Sequence, residues 1–137
     1  MNSDQLKQRT KEFALRIMRL VDALPTGPKG RALASQLVRS GTSVAANYRA
    51  ACRGRSRAEF IAKIGVVEEE ADETALWLEL IIEDRLLKRD KVQPLLDEAN
   101  ELVAIMAATY KSAQRNNTSN GTRRLAQSAI RNQQSEI

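Results

Sequence analysis

The sequence has 137 residues, which is room for one domain of ordinary size. It contains no histidine, so the commonest general base, the commonest metal ligand and every Ser–His or Cys–His nucleophile pair are missing. A single cysteine excludes an intramolecular disulfide and is typical of a reducing compartment. No apolar run approaches the ~20 residues of a membrane-spanning helix, and the polar N-terminus lacks the apolar segment of a signal peptide. We therefore expect a cytoplasmic protein.

The net charge is +5, but the basic and acidic residues are segregated along the chain. Residues 29–63 carry eight basic side chains and one acidic one, whereas residues 64–101 carry four basic and twelve acidic ones. A basic segment can contact nucleic acid or an acidic partner. It can equally face the acidic segment, either within one molecule or across a subunit interface.

The first predicted helix runs from about Asp4, the expected N-cap, to Leu24. Its apolar residues recur mostly at spacings of three and four and form one stripe: Leu6, Phe13, Ile17, Leu20 and Leu24. Two prolines, Pro25 and Pro28, end this helix, and Pro28 suits the first position of the next one.

The second predicted helix runs from Pro28 to about Arg53 and contains a stretch of small residues from Ser40 to Ala46. Gly41 alone disfavours a helix by about 1 kcal/mol relative to alanine, so the stretch taken by itself resembles a loop. We predict a helix because small side chains let another helix approach closely, and tertiary packing can override propensity.

The third predicted helix begins at a capping box formed by Ser56 and Glu59 and continues to about Leu87. Its apolar residues alternate spacings of four and three, which indicates a heptad seam: Phe60, Ile64, Val67, Ala71, Thr74, Leu78 and Ile81. The seam predicts that this helix packs along its whole length against neighbours.

The fourth predicted helix is capped by Asp90 with Gln93 in the reciprocal position, tolerates Pro94 in its first turn, and fades near Gln114. Residues 116–137 are rich in Asn, Ser, Thr and Gln and cannot offset their own ordering entropy, which predicts a polar, disordered tail. Four helices with short connections predict an all-α, antiparallel up-down-up-down four-helix bundle over residues 1–115.

Two stretches, QLVRSGTSVAANYR at residues 36–49 and EEEADETALWLEL at residues 68–80, carry a family resemblance together with the capping segment at residues 56–60. Over about residues 4–115 the chain resembles the bacterial four-helix-bundle family of the 23S ribosomal RNA intervening-sequence proteins. The resemblance implies a ring-like homo-oligomer, commonly a pentamer, whose biochemical role is mostly unassigned. A related branch, the accessory variability protein of diversity-generating retroelements, forms a pentameric basic barrel that binds nucleic acid and a reverse transcriptase.

Five cations surround the predicted connection between the second and third helices: Arg49, Arg53, Arg55, Arg57 and Lys63. Only Glu59 interrupts them, so they form a compact positive end suited to salt-sensitive phosphate contacts. We expect Tyr48 to be the only ring near these cations, which gives base stacking little support. The alternative is that these cations pair with acidic residues of the third or fourth helix in a neighbouring subunit, or are merely solvated.

The acidic run at residues 68–73 places Glu69 and Glu73 on one helix face, as in carboxylate metal sites. Bundle di-iron sites also need Glu-x-x-His pairs, which a chain without histidine cannot form, so we expect no metal and no cofactor. Glu70 and Glu73 are candidates for ion pairs with arginines of the second helix, in the same subunit or a neighbour. Trp77 is a candidate for the core or an oligomer interface.

These observations favour a non-catalytic, self-associating bundle that binds nucleic acid, structured RNA or else DNA, through the basic end. No catalytic residue set can be assigned, so we do not expect an enzyme. The alternative is a protein–protein interaction module or scaffold with no nucleic-acid role, whose partner is itself or a larger protein. Under that alternative the basic and acidic segments are complementary interface surfaces.

Overall fold

The computed structural model describes the backbone of residues 1–135, with side chains described for residues 1–116 and Ala126. The chain forms four helices: α1 (Ser3–Val21), α2 (Pro28–Cys52), α3 (Arg57–Glu83) and α4 (Arg89–Ser135). Each helix packs on the next, and α4 closes the bundle against α1, whereas α1 and α3 make no contact across it over the described residues. The predicted all-α, up-down-up-down fold is confirmed. None of the described helices has the length and apolarity needed to cross a membrane.

The fourth helix extends past Gln114, where the apolar pattern of the sequence fades. The predicted disordered tail, residues 116–137, lies almost entirely outside the residues whose side chains are described, and it stays a prediction.

The N-cap of α1 is Asn2, so the prediction of Asp4 was wrong. The Asn2 side chain accepts a hydrogen bond from the Gln5 backbone N–H at 2.8 Å, and the Gln5 side chain accepts one from the Asn2 N–H at 2.9 Å. This reciprocal capping box satisfies two backbone donors that would otherwise lack partners. Asp4 lies in the first turn instead, where the helix dipole favours its negative charge.

Both ends of α3 differ in detail from the sequence pattern. Ser56 caps the helix by accepting from the Glu59 N–H at 3.1 Å, but the Glu59 carboxylate accepts from the Arg55 N–H at 2.7 Å rather than from Ser56. The helix ends at Glu83, short of the predicted Leu87, because Arg85 adopts a left-handed conformation with φ 58°. Such a residue ends a helix and redirects the chain.

The start of α4 also differs from prediction. Asp90 lies within the first turn rather than at the cap, and Pro94 is the sixth residue of the helix, beyond its first turn. Gln93 accepts from Arg89 at 3.2 Å and donates to Asp97 at 2.9 Å instead of bonding back to a cap. The Lys91 N–H finds its acceptor in the Lys88 carbonyl at 3.0 Å.

The core is aliphatic, as the composition indicates, and it includes the heptad seam of α3 from Ile64 to Ile81. Phe13 is its largest fully buried side chain, and Leu37 and Leu102 are also fully buried. The seam therefore supplies the central contact surface of the bundle.

The small residues of α2 lie where neighbouring helices approach most closely. A Cβ on Gly41 would stand 3.1 Å from the side chain of Ile17 in α1. On the adjoining residue, Ser40 Oγ lies 2.8 Å from the buried Thr74 hydroxyl of α3. The stretch is helical, as predicted, because packing against two helices outweighs its weak propensity.

The guanidinium of Arg9 pairs with two carboxylates of α4 and holds α1 against α4; we call this ion pair the Arg9 clasp. Arg9 donates two hydrogen bonds to the carboxylate of Glu98, at 2.6 and 2.8 Å, and also contacts Glu101. The Glu98 side chain is only 15% exposed, so water screens this pair less than a surface ion pair. The hydrogen bonds from Arg9 hold the pKa of Glu98 below its ordinary value.

Two helical glycines provide a matched test of this packing. A Cβ on the buried Gly30 would stand 1.7 Å from the Pro25 carbonyl oxygen, whereas one on Gly65 would meet only the Tyr110 ring at 3.4 Å. We expect Gly30→Ala to lower the free energy of unfolding by about 2 kcal/mol, because the connection must shift. Gly65→Ala should raise it by up to about 1 kcal/mol through helix propensity. Urea unfolding followed by circular dichroism measures both, and equal effects would contradict the described packing.

The Arg9 clasp predicts a specific dependence of stability on pH. Because Arg9 favours the ionised Glu98 only in the folded state, the folded pKa lies below the unfolded value of about 4.3. The stabilisation is therefore complete above that unfolded value and is lost as the pH falls through the folded pKa. We expect Glu98→Gln to cost about 1–2 kcal/mol at pH 7 and much less at pH 3.

The control for this prediction is Glu101→Gln, because the Glu101 side chain contacts the same guanidinium but is 67% exposed. Exposed ion pairs contribute little, so its effect at pH 7 should be clearly smaller. Equal losses for the two variants, measured by urea unfolding at both pH values, would show that Glu98 has no special role.

Candidate functional site

The five predicted cations lie at one end of the bundle, around the connection from α2 to α3, and we call them the basic end: Arg49, Arg53, Arg55, Arg57 and Lys63. All five are exposed. Among the described residues none of them forms an ion pair, although Glu59 is close in the chain and accepts from the Arg55 backbone. Their positive charge is therefore not neutralised within this part of the chain.

Shallow cavities bring the side chains of the basic end together. One cavity of about 420 Å³ is lined by Arg53, Arg55 and Lys63, together with Glu59. A second, of about 460 Å³, is lined by Arg55, Arg57 and the partly buried Phe60. Because Arg55 borders both, the two cavities adjoin, and the surface they occupy carries four cations.

A third and larger concavity, of about 600 Å³, extends this surface along the bundle between α1 and α2, and we call it the α1–α2 groove. Arg49 and Arg53 line it from α2, and Lys7 and Lys11 line it from α1. The rest of its lining is small and uncharged: Ala14, Thr42, Ala45, Ala46 and Ala50. A groove with cations on both helices and an alanine-rich lining can hold an elongated anionic group.

Sequence reasoning missed Lys7 and Lys11, which are far from the basic end in the chain. The antiparallel pairing of α1 and α2 could have identified them, because it places the beginning of α1 beside the end of α2. It also missed Phe60 as the ring that borders the basic end.

Tyr48 does not offer its ring for base stacking, because only 3% of its surface is exposed. Burial raises the pKa of its hydroxyl, and Cys52 lies one turn further along α2. Tyr48 is therefore part of the core, and Phe60 is the ring that remains beside the cations.

Glu70 and Glu73 both contact Arg39 of α2 in the same chain, the former at 3.2 Å. Arg39 therefore bridges two successive turns of α3 and ties α2 to it. Charge reversal at Glu70 and Glu73 would disturb this contact within one bundle, so it is a poor probe of self-association.

Trp77 is partly buried and packs against the core. Its indole N–H is fully covered and has no acceptor among the described residues, an arrangement that costs about 1–3 kcal/mol in proteins.

Among the described residues, no group of three or more carboxylates or thiols could hold a metal ion.

Comparison with known proteins places the chain in context. The family described as 23S rRNA-intervening sequence protein matches residues 3–108. The crystal structure of a protein of unknown function from the S23 ribosomal protein family of Bacteroides thetaiotaomicron is 35% identical to this chain. The likeness has a TM-score of 0.72 and covers 77% of this chain and 98% of the other. No curated protein matches the sequence. The match spans all of α1, α2 and α3 and the first part of α4, and the chain belongs to the 23S rRNA-intervening sequence protein family.

Proposed function

We propose that this protein is a non-catalytic helical bundle that self-associates and binds structured RNA through the basic end. The observation that carries the proposal is a set of five exposed cations, none of them paired among the described residues, that line three adjoining concavities. Releasing counterions from an RNA backbone favours binding to such a surface, in proportion to the number of phosphates contacted. Lys7 and Lys11 add two more cations along the α1–α2 groove.

The shape of the surface favours contacts with a phosphate backbone over readout of bases. Its cations project from a short connection and two helix ends, and the one neighbouring ring, Phe60, is only partly accessible. Double-stranded RNA is recognised mainly through its shape and backbone. We therefore propose a structured RNA, bound with little dependence on sequence.

Self-association is the second part of the proposal. The family resemblance suggests a closed ring of identical chains, commonly five. In a ring whose axis is parallel to the helices, every basic end would lie on the same side, and the cations would be multiplied around it. A single RNA could then contact several chains at once, which strengthens binding without any new type of contact.

The first prediction concerns RNA affinity. Substitution of Arg53, Arg55 and Arg57 by alanine should weaken binding to a labelled RNA hairpin at least tenfold at low salt, because three phosphate contacts are lost. The slope of log K against log salt should also fall by up to about one for each arginine removed. Fluorescence anisotropy across a range of salt concentrations measures both quantities.

The matched control replaces Lys88, Arg89 and Lys91, three exposed cations at the other end of the bundle, by alanine. The change in net charge is the same, so this variant separates a local site from a general attraction between charges. Binding by the Arg53/Arg55/Arg57 variant that equals wild type would refute the proposal. Absence of RNA binding by the wild type at every salt concentration would also refute it and would favour a protein partner.

A further inference from the structure

The C-terminal part of α4 continues beyond the core of the bundle. Among the described side chains of this helix, the last buried one is Ala113, whereas the helix itself continues to Ser135. Past that core residue, the side chains of Arg115 and Ala126 are exposed. We call residues 116–135 the α4 extension. It lies past residue 108, where the match to the family ends, so it is an addition to the family fold.

The α4 extension leaves the bundle at the basic end. Helix α4 packs antiparallel to α3, so the later part of α4 lies beside the start of α3. A Cβ on Gly65 of α3 would stand 3.4 Å from the ring of Tyr110, which sets the register of the two helices. With a rise of about 1.5 Å per residue, Arg57 is then level with about residue 118 of α4. The helix therefore extends about 25 Å past Arg57 before it ends at Ser135.

The composition of the α4 extension suits the backbone of a nucleic acid. It contains three arginines, Arg123, Arg124 and Arg131, and no acidic residue. Twelve of its twenty residues carry amide or hydroxyl side chains. Arginine and these polar side chains supply many of the hydrogen bonds that proteins make to phosphate and sugar oxygens. The exposed Arg115 lies between this segment and the basic end, so cations occur along the whole path.

A phosphate backbone suits the extension better than a membrane surface does. Its only large apolar residues are Leu125 and Ile130, and it has no aromatic residue. Helices that lie on membranes bury a broad apolar face rich in Trp, Phe or Leu. Arg124 and Arg131 are seven residues apart and therefore share one face of the helix. The extension thus offers aligned positive charge with little apolar surface to bury.

We infer that the α4 extension is a second RNA contact surface, which continues the basic end along the same RNA. A duplex held by Arg53, Arg55 and Arg57 runs on beside the extension, whose arginines contact further phosphates. Each additional phosphate contact raises affinity and steepens its dependence on salt. This inference rests on the RNA binding within the proposed function, and it states how far along the RNA that binding reaches.

Two RNA hairpins of different length test the inference. One has a stem of about 20 base pairs, longer than the ~16 base pairs that a double-stranded-RNA-binding domain spans, and the other has a stem of about 8. The full-length variant carries Arg123→Ala, Arg124→Ala and Arg131→Ala. It should bind the long stem about tenfold more weakly than wild type at low salt, with a salt slope lower by up to about three. Its affinity for the short stem should be almost unchanged, because the basic end alone covers that RNA.

The matched control is again the substitution of Lys88, Arg89 and Lys91 by alanine, which removes three charges at the other end of the bundle. It should bind both stems nearly as wild type does. The Arg53/Arg55/Arg57 variant should lose affinity for both stems, which separates the basic end from the extension. Fluorescence anisotropy measures every affinity, and circular dichroism checks that each variant is folded.

The outcomes distinguish this inference from the proposed function. Wild-type affinity of the extension variant for the long stem overturns the inference and leaves RNA binding by the basic end intact. An equal loss on both stems, or an equal loss in the matched control, also overturns it, because the effect is then a general attraction between charges. Loss of binding to anionic phosphatidylglycerol vesicles, with RNA affinity unchanged, would assign the extension to a membrane surface instead. A wild type that binds neither hairpin overturns both proposals.

Discussion

The close approach of α2 to its two neighbours is the constraint on which the rest of the structure depends. Gly41 admits the side chain of Ile17, and Ser40 meets Thr74 in a buried polar contact. Larger side chains at either position would separate the helices. Because the contacts fix α2 between α1 and α3, they also set the height of every exposed residue on those helices. The alanine-rich lining of the α1–α2 groove continues the same small-residue stripe towards the basic end.

Electrostatic pairing divides the charged residues of the described chain into two kinds. Arg9 and Arg39 are each held by two carboxylates and join α1 to α4 and α2 to α3, so they act as structural cations. The basic end has no such partners. The segregation of charge along the sequence is therefore only partly neutralised inside the molecule, by Arg39 with Glu70 and Glu73 and by Lys29 with Asp84. The remaining imbalance leaves a positive end and exposed carboxylates on α3, such as Glu69 and Asp72, each available to another molecule.

The sequence predicted the helices well because their signals are local. Periodicity identified all four, and the α3 seam proved buried from Ile64 to Ile81. The helix caps were predicted less well. Asn2 and Asp4 are both good N-cap residues, and only the reciprocal hydrogen bonding with Gln5 distinguishes them. The positive φ of Arg85 has no sequence signature, since glycine usually takes that position. Lys7 and Lys11 were missed because their relation to Arg49 and Arg53 depends on helix pairing, which is not local.

Lys7 and Lys11 of α1 lie opposite Arg49 and Arg53 of α2, on the two sides of the α1–α2 groove. A phosphate backbone in this groove would therefore be attracted from both helices, and Arg53 extends that attraction into the basic end. The two parts of the proposed function also respond differently to salt: phosphate contacts weaken steeply, whereas burial of apolar surface between chains does not depend on counterions. Rising salt should therefore release RNA from an oligomer that stays assembled.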